Sequence, residues 1–145
     1  MYGLRGRPNT VVLVDTSVWL WRSSVNPLLG SVDEDPLAIC PPILQELLQG
    51  AWDQRRMKHV RTIEESSIML DSPVPIERFE IAGEIYRVAR AQSFTVRSSN
   101  DCLIAAIAMH NDVLLLHADR DFDAIARFFP LRARNINPSA STPHS

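Results

Sequence analysis

Residues 102 to 109, CLIAAIAM, run through two turns of helix without a polar side chain. A helix that is apolar on every side cannot lie on a surface and has to be enclosed by other elements. It is also far shorter than the ~18 residues a membrane span needs. The opening "MYGLRGRPNT" has no apolar segment of the secretory kind. The expectation is therefore a cytoplasmic protein with no membrane attachment.

What encloses that helix is legible in the flanks, where strands alternate with helices. Val11 to Val14 is a β-branched run that reads as a buried parallel strand passing into a helix at "TSVWLW". "LAIC" follows as a second strand, and Pro41 and Pro42 suit the first turn of the helix "PPILQELLQGA". A polar helix is predicted from Asp53 to Met69, and "DSPVPI" reads as extended. Ile76 to Gln92 carries Phe79, Ala82, Ile85, Tyr86 and Ala89 at helical spacing. "VLLLH" is a strand, 122–129 a short helix and "LRARNI" a last strand. This order predicts an α/β fold with a central parallel sheet, flanked by helices on both faces through right-handed crossovers.

At 145 residues, with 46% hydrophobic and 22% charged side chains, the chain suits one globular domain over 11–135. Residues 1–10 are expected to be a mobile leader or an upstream misassigned start, because the first strand begins naturally at Val11 or Val12. The polar Pro/Ser-rich stretch 136–145 is expected to be a disordered tail. Cys40 and Cys102 lack a C-x-x-C partner and read as buried reduced thiols. The net charge of −2 neither suggests nor excludes nucleic acid. Lys58 is the single lysine among fifteen basic residues, and this arginine bias is not by itself evidence of phosphate contact.

In open α/β sheets ligands sit beyond the carboxyl ends of the strands. Asp15 closes the first strand there, and Asp119 follows "VLLLH" to the same side. Ser98 and Asp101 have capping-box spacing, which puts Asp101 in the first turn of the apolar helix. Glu46 flanks the core stripe of its own helix, ~60° from Ile43. Each acid has a structural alternative: Asp15, Asp101 and Asp121 as helix caps, Glu46 as a surface residue. Caps do not explain convergence on one rim, where repulsion would raise the pKa values unless a cation intervened. An all-oxygen set favours Mg2+ or Mn2+ over zinc. His117 reads as structural.

"VVLVDTSVW", Glu46 in "QELLQG", "SSNDCLIAAIA" and "LLLHADRDFDAIA" together resemble the PIN-domain ribonucleases, most closely VapC-type toxins of bacterial type II toxin–antitoxin pairs. The resemblance covers 11–135 and implies a Mg2+- or Mn2+-dependent endoribonuclease that leaves a 5′-phosphate and a 3′-hydroxyl. It implies Asp15, Glu46, Asp101 and Asp119 as the catalytic set, with Asp15, Asp101, Asp119 and a supporting Asp121 at the metal. Thr16 or Ser17 would neighbour metal or substrate. Asn100 is a position that the sequence does not interpret.

Two alternatives stand beside this: a Mg2+-binding phospho-acceptor receiver-like domain, which would need a late-strand lysine that Lys58 does not supply, and a catalytically inactive PIN-fold binding module. The scattered glycines make no phosphate-binding cradle. The family further implies RNA as substrate, a homodimer, and a cognate VapB-type antitoxin laid across the active-site face. Trp19 and Trp21, ~200° apart on a helix, cannot both face one core, so one is expected at the surface, with Trp52 adding to an aromatic patch.

Overall fold

The computed structural model describes residues 10–19 and 36–137. The leader apart from Thr10, Trp21, and the tail from residue 138 lie outside the described residues. The strands are β1 (Val12–Val14), β2 (Leu37–Ile39), β3 (Ile68–Met69), β4 (Leu114–His117) and β5 (Ala133–Asn135). Their helices are α1, described over 16–19, then α2 (Pro41–Gln49), α3 (Gln54–Ser66), α4 (Ile76–Ala91), α5 (Ser99–Asn111) and α6 (Arg120–Phe128).

All strand pairings are parallel, in the order β3-β2-β1-β4-β5. The chain leaves β1 toward β2 and β3, then returns to the other side of β1 as β4. With right-handed crossovers, this reversal places α1–α3 on one face and α4–α6 on the other. Within each set, α4, α5 and α6 contact one another and α2 contacts α3, while α2 also meets α5, Asn100 of α5 donating to the Pro42 carbonyl. The reversal also makes the gap between the ends of β1 and β4 the topological switch point.

The apolar helix lies where its composition demands. Cys102 and residues 104–108 of α5 are buried, with α4, α6 and β4 against it. Leu13, Ile39, Leu115, Leu116 and Phe122 are fully enclosed, each such side chain contributing about 1.5–3 kcal/mol of burial. Cys40 and Cys102 are free buried thiols, pushed by burial to about 12 and about 11 respectively.

Four sequence expectations need correction. The polar helix stops at Ser66, and Ile68–Met69 is instead a strand beside β2. Ser66 Oγ donates back to the Thr62 carbonyl (2.8 Å), the kind of local bond that competes with helix continuation, and Ser67 is extended. Asp53 lies outside that helix as its N-cap, accepting from the Arg56 N–H. Phe79 shares the α4 stripe with buried Ala82, Ile85 and Ala89, yet is 49% exposed. Ile136, read both as the end of "LRARNI" and as the start of the tail, belongs with the strand: it is buried and donates its N–H to the His117 carbonyl (2.8 Å).

Candidate metal centre

At the end of β1 the chain turns at Asp15, whose N–H continues the ladder to the Leu116 carbonyl (2.9 Å). Its carboxylate Oδ2 accepts from the Ser17 N–H (3.2 Å) and Ser17 Oγ (2.6 Å), so Asp15 opens α1 as expected of a cap. Ser17 Oγ also accepts from the Ala118 N–H (3.1 Å). One hydroxyl thus ties the ends of β1 and β4 across the switch point. Thr16 Oγ1 donates to Glu46 Oε1 (2.9 Å), bringing α2's acid to the same rim.

The other half of the rim comes from β4, α5 and α6. Asp119, not Asp121, caps α6, its Oδ1 accepting from the Asp121 N–H (2.9 Å). Asp121 is buried in the first turn. The capping box expected of Ser98 and Asp101 is not made: Ser98 forms no side-chain cap bond, and the Asp101 N–H goes to the Ser98 carbonyl (3.1 Å). Asp101 is buried in the first turn without serving as a cap partner. Asn100, uninterpreted from sequence, donates to the Pro42 carbonyl (3.4 Å) and links the starts of α5 and α2.

Among the described residues, Asp101, Asp119 and Asp121 can each present a carboxylate oxygen within 4.8 Å of the others. Asp15 and Glu46 stand outside that triangle, but their charges act on it. Burial, then the charges of Asp15, Asp119, Glu46 and Asp121, push Asp101 up to about 8. Burial also raises Asp15 despite its Ser17 bonds, with Glu46 adding repulsion.

Arg97 is the residue that sequence reasoning passed over, although it begins the segment leading to Asp101. Its N–H and Nε both donate to Asp121 Oδ2 (3.1 and 3.3 Å), and its NH2 group donates to Asp119 Oδ1 (2.9 Å). Nothing in "TVRSS" signals this, because the partners lie more than twenty residues ahead.

The donor chemistry fits a hard divalent cation. Asp15 Oδ1 is buried without a hydrogen-bond partner, an arrangement that is costly unless a cation or water meets it. Of the softer donors near the rim, Cys102 keeps its proton, and His117 is fully buried against Phe122, its Nδ1 accepting from the Asp119 N–H (3.2 Å) and its Nε2 facing Asp123 Oδ1 at 3.5 Å. Burial lowers the His117 pKa, so the ring is neutral.

Residues 12–128 match the PIN domain family. The chain is 36% identical over 134 residues to the VapC ribonuclease Mb1587 of Mycobacterium bovis, covering 87% of this chain and 99% of the relative. The same figures hold for ribonuclease VapC11 of Mycobacterium tuberculosis. In fold it is similar to VapBC-1 from nontypeable Haemophilus influenzae, with a TM-score of 0.72 at 18% identity over 87% of this chain and 98% of that one. DNA-bound VapBC from Salmonella typhimurium gives a TM-score of 0.69 at 17% identity, covering 86% and 97%.

Proposed function

The chain belongs to the PIN-domain family, and from that premise we propose that it is an endoribonuclease, the toxin of a toxin–antitoxin pair, acting through a carboxylate-held Mg2+ or Mn2+. The observation that carries this is the meeting of Asp101, Asp119 and Asp121 at the switch point, beside the unpartnered Asp15 Oδ1. The nuclease relatives support RNA as the substrate. The VapBC likenesses support a small VapB-type antitoxin as partner. A homodimer and a cytoplasmic site of action belong to the same proposal. Among the described residues, no helix is long and apolar enough to cross a membrane.

Asp15, Asp101, Asp119 and Asp121 would hold the ion, with Glu46 beside them to orient water. A bound divalent cation would lower the pKa of water and stabilise charge on the scissile phosphate. The chain's own residues prepare for this. Thr16 and Ser17 are neighbours of the site through the carboxylates they hold: Ser17 fixes one Asp15 oxygen and leaves the other unbonded, while Thr16 holds Glu46. Arg97 and the Asp121 N–H engage one oxygen each of Asp119 and Asp121, leaving Asp119 Oδ2 and Asp121 Oδ1 without a hydrogen bond among the described residues. Family membership removes the receiver-like alternative, and Lys58 lies exposed on α3 rather than at a late strand.

The test is incubation of the purified full chain with total cellular RNA in Mg2+, in Mn2+ and in EDTA. Discrete cleavage with metal and none with EDTA is expected. Intact RNA under every condition would favour the inactive binding module.

A further inference from the structure

We propose that the start of α3 and the tryptophan before it form the surface on which this protein holds single-stranded RNA, a base stacking on Trp52 and phosphates meeting Arg55, Arg56 and Lys58. This rests on the endoribonuclease reading and extends it to where the substrate lies. Trp52 is 77% exposed, whereas tryptophan is on average a highly buried residue. The Arg56 guanidinium sits 4.3 Å from the centre of its ring. Arg56 is held in turn by the carboxylate of Asp53, which also caps α3 by accepting from the Arg56 N–H (2.8 Å). The indole is therefore presented by a preset stack rather than by a loose side chain.

Charge points to the occupant. Residues 52–61 carry Arg55, Arg56, Lys58 and Arg61 against Asp53, in a chain whose net charge is −2; Arg61 is paired with Glu64 (2.8 Å), which leaves the excess at the start of α3. All four are exposed. The rim beside them is the reverse, acids of which Asp119 and Asp121 share one arginine while Asp15 and Glu46 have no paired cation among the described residues. An RNA needs attraction from close by, and α3 supplies it: a cavity of about 340 Å3 has Arg56 and His59 together with Thr16 and Glu46 of the rim around an apolar floor that includes Trp19, Leu47, Val60 and Ile63. An aromatic face among arginines and lysines next to a phosphodiester site is how single strands are held without sequence readout. A protein partner could also use an exposed tryptophan, and the apolar floor of that cavity would suit one, but the exposed cations grouped around Trp52 favour a polyanion. The other large exposed apolar side chains of the described residues include Ile76, Phe79 and Ile81 on α4, and α3 buries its own Val60 and Ile63 in the core.

The experiment measures anisotropy of a fluorescein-labelled single-stranded RNA with the full chain in EDTA, where cleavage is silent. Trp52→Ala is expected to weaken binding on the order of 5- to 150-fold, the loss of one stacked base, with Trp52→Phe recovering most of it. The pair Arg55→Ala and Lys58→Ala is expected to reduce the slope of log Kd against log salt by about 1.4, two phosphate contacts' worth. Unchanged affinity in Trp52→Ala, or an unchanged salt slope in the arginine–lysine variant, overturns the proposal. So does a Trp52→Ala chain that binds RNA normally but loses a co-expressed antitoxin, which would make this a protein surface. Cleavage assayed in parallel separates the two claims. A wild type that binds RNA through Trp52 yet cuts none with Mn2+ refutes the nuclease and leaves the surface standing.

Discussion

The two halves of the acidic rim are built from the same residue types and balanced in opposite ways. On the β4 and α6 side, Asp119 and Asp121 share the Arg97 guanidinium, and both accept backbone N–H groups. On the β1 and α2 side, Asp15 and Glu46 are held by the hydroxyls of Ser17 and Thr16 and by the Ser17 N–H, and among the described residues no cation is paired with them. Hydroxyls orient a carboxylate without neutralising it. The consequence appears where desolvation is not offset: burial raises Asp15, and Asp101, lying between the halves, is pushed up to about 8. Missing positive charge, more than the number of acids, is what the proposed cation would supply.

The largest expected effect comes from removing the charge that both halves repel. Asp101→Asn should reduce cleavage on the order of 100-fold or more, since even residues that only support metal ligands typically cost ~10–100-fold. It should also raise the metal-free melting temperature by several degrees at pH 8, because repulsion is relieved. Cleavage assays and melts of the folded variant check both. A variant as active as wild type would remove Asp101 from the centre.

Next in size is the response to pH and metal. Asp101 titrates near 8 when folded, against ~3.9 for an unfolded aspartate. Between those values the native state holds a proton that the unfolded chain has released, so metal-free stability should decline as pH rises from about 4 to about 8. Asp15, shifted in the same direction, adds to the decline. Mn2+ at a hundred times its Kd should restore about 2.7 kcal/mol at pH 8, and less at pH 5, where protons compete for the ligands. Denaturant titrations at the two pH values, with and without Mn2+, measure this; a metal response independent of pH would contradict it.

A smaller effect is expected of Ser17→Ala. It removes the bond to Asp15 Oδ2 and leaves the Ala118 N–H unpaired across the switch point. A loss of about 1–3 kcal/mol is expected, mostly from the stranded partner, measured by urea unfolding. Arg97→Ala removes a side chain that is 62% exposed, so the Asp119 pair is screened and contributes little, and the cost falls mainly on Asp121, whose carboxylate is 3% exposed. It sharpens the comparison in another way. With both halves uncompensated, the melting temperature without metal should fall slightly, and the rise on adding Mn2+ should exceed that of wild type. An equal rise would mean Arg97 carries none of the charge balance.

Much of this was legible in the sequence because it depended on local pattern. Apolar runs ending in acids placed β1 and β4 with Asp15 and Asp119 beyond them. An all-apolar stretch required α5 to be enclosed, and Pro41 and Pro42 marked the start of α2. Periodicity and capping chemistry reach only a few residues along the chain, and most elements were set within that range. They failed at two places even there: Ser98 and Asp101 have capping-box spacing without its bonds, and Ile68–Met69 left the helix for a place beside β2.

Everything that depends on separation along the chain was decided by the tertiary structure. Arg97 meets Asp119 and Asp121, Thr16 meets Glu46 thirty residues away, and Ser17 bonds Ala118 across 101 residues. The order β3-β2-β1-β4-β5 creates those meetings by returning the chain to the other side of β1. Residue types and spacing were enough to show that acids stand at strand ends. Which of them share an oxygen's reach, and which cation already neutralises them, is set by burial and charge in three dimensions, since desolvation and Coulomb interaction depend on distance in space and not on distance along the chain.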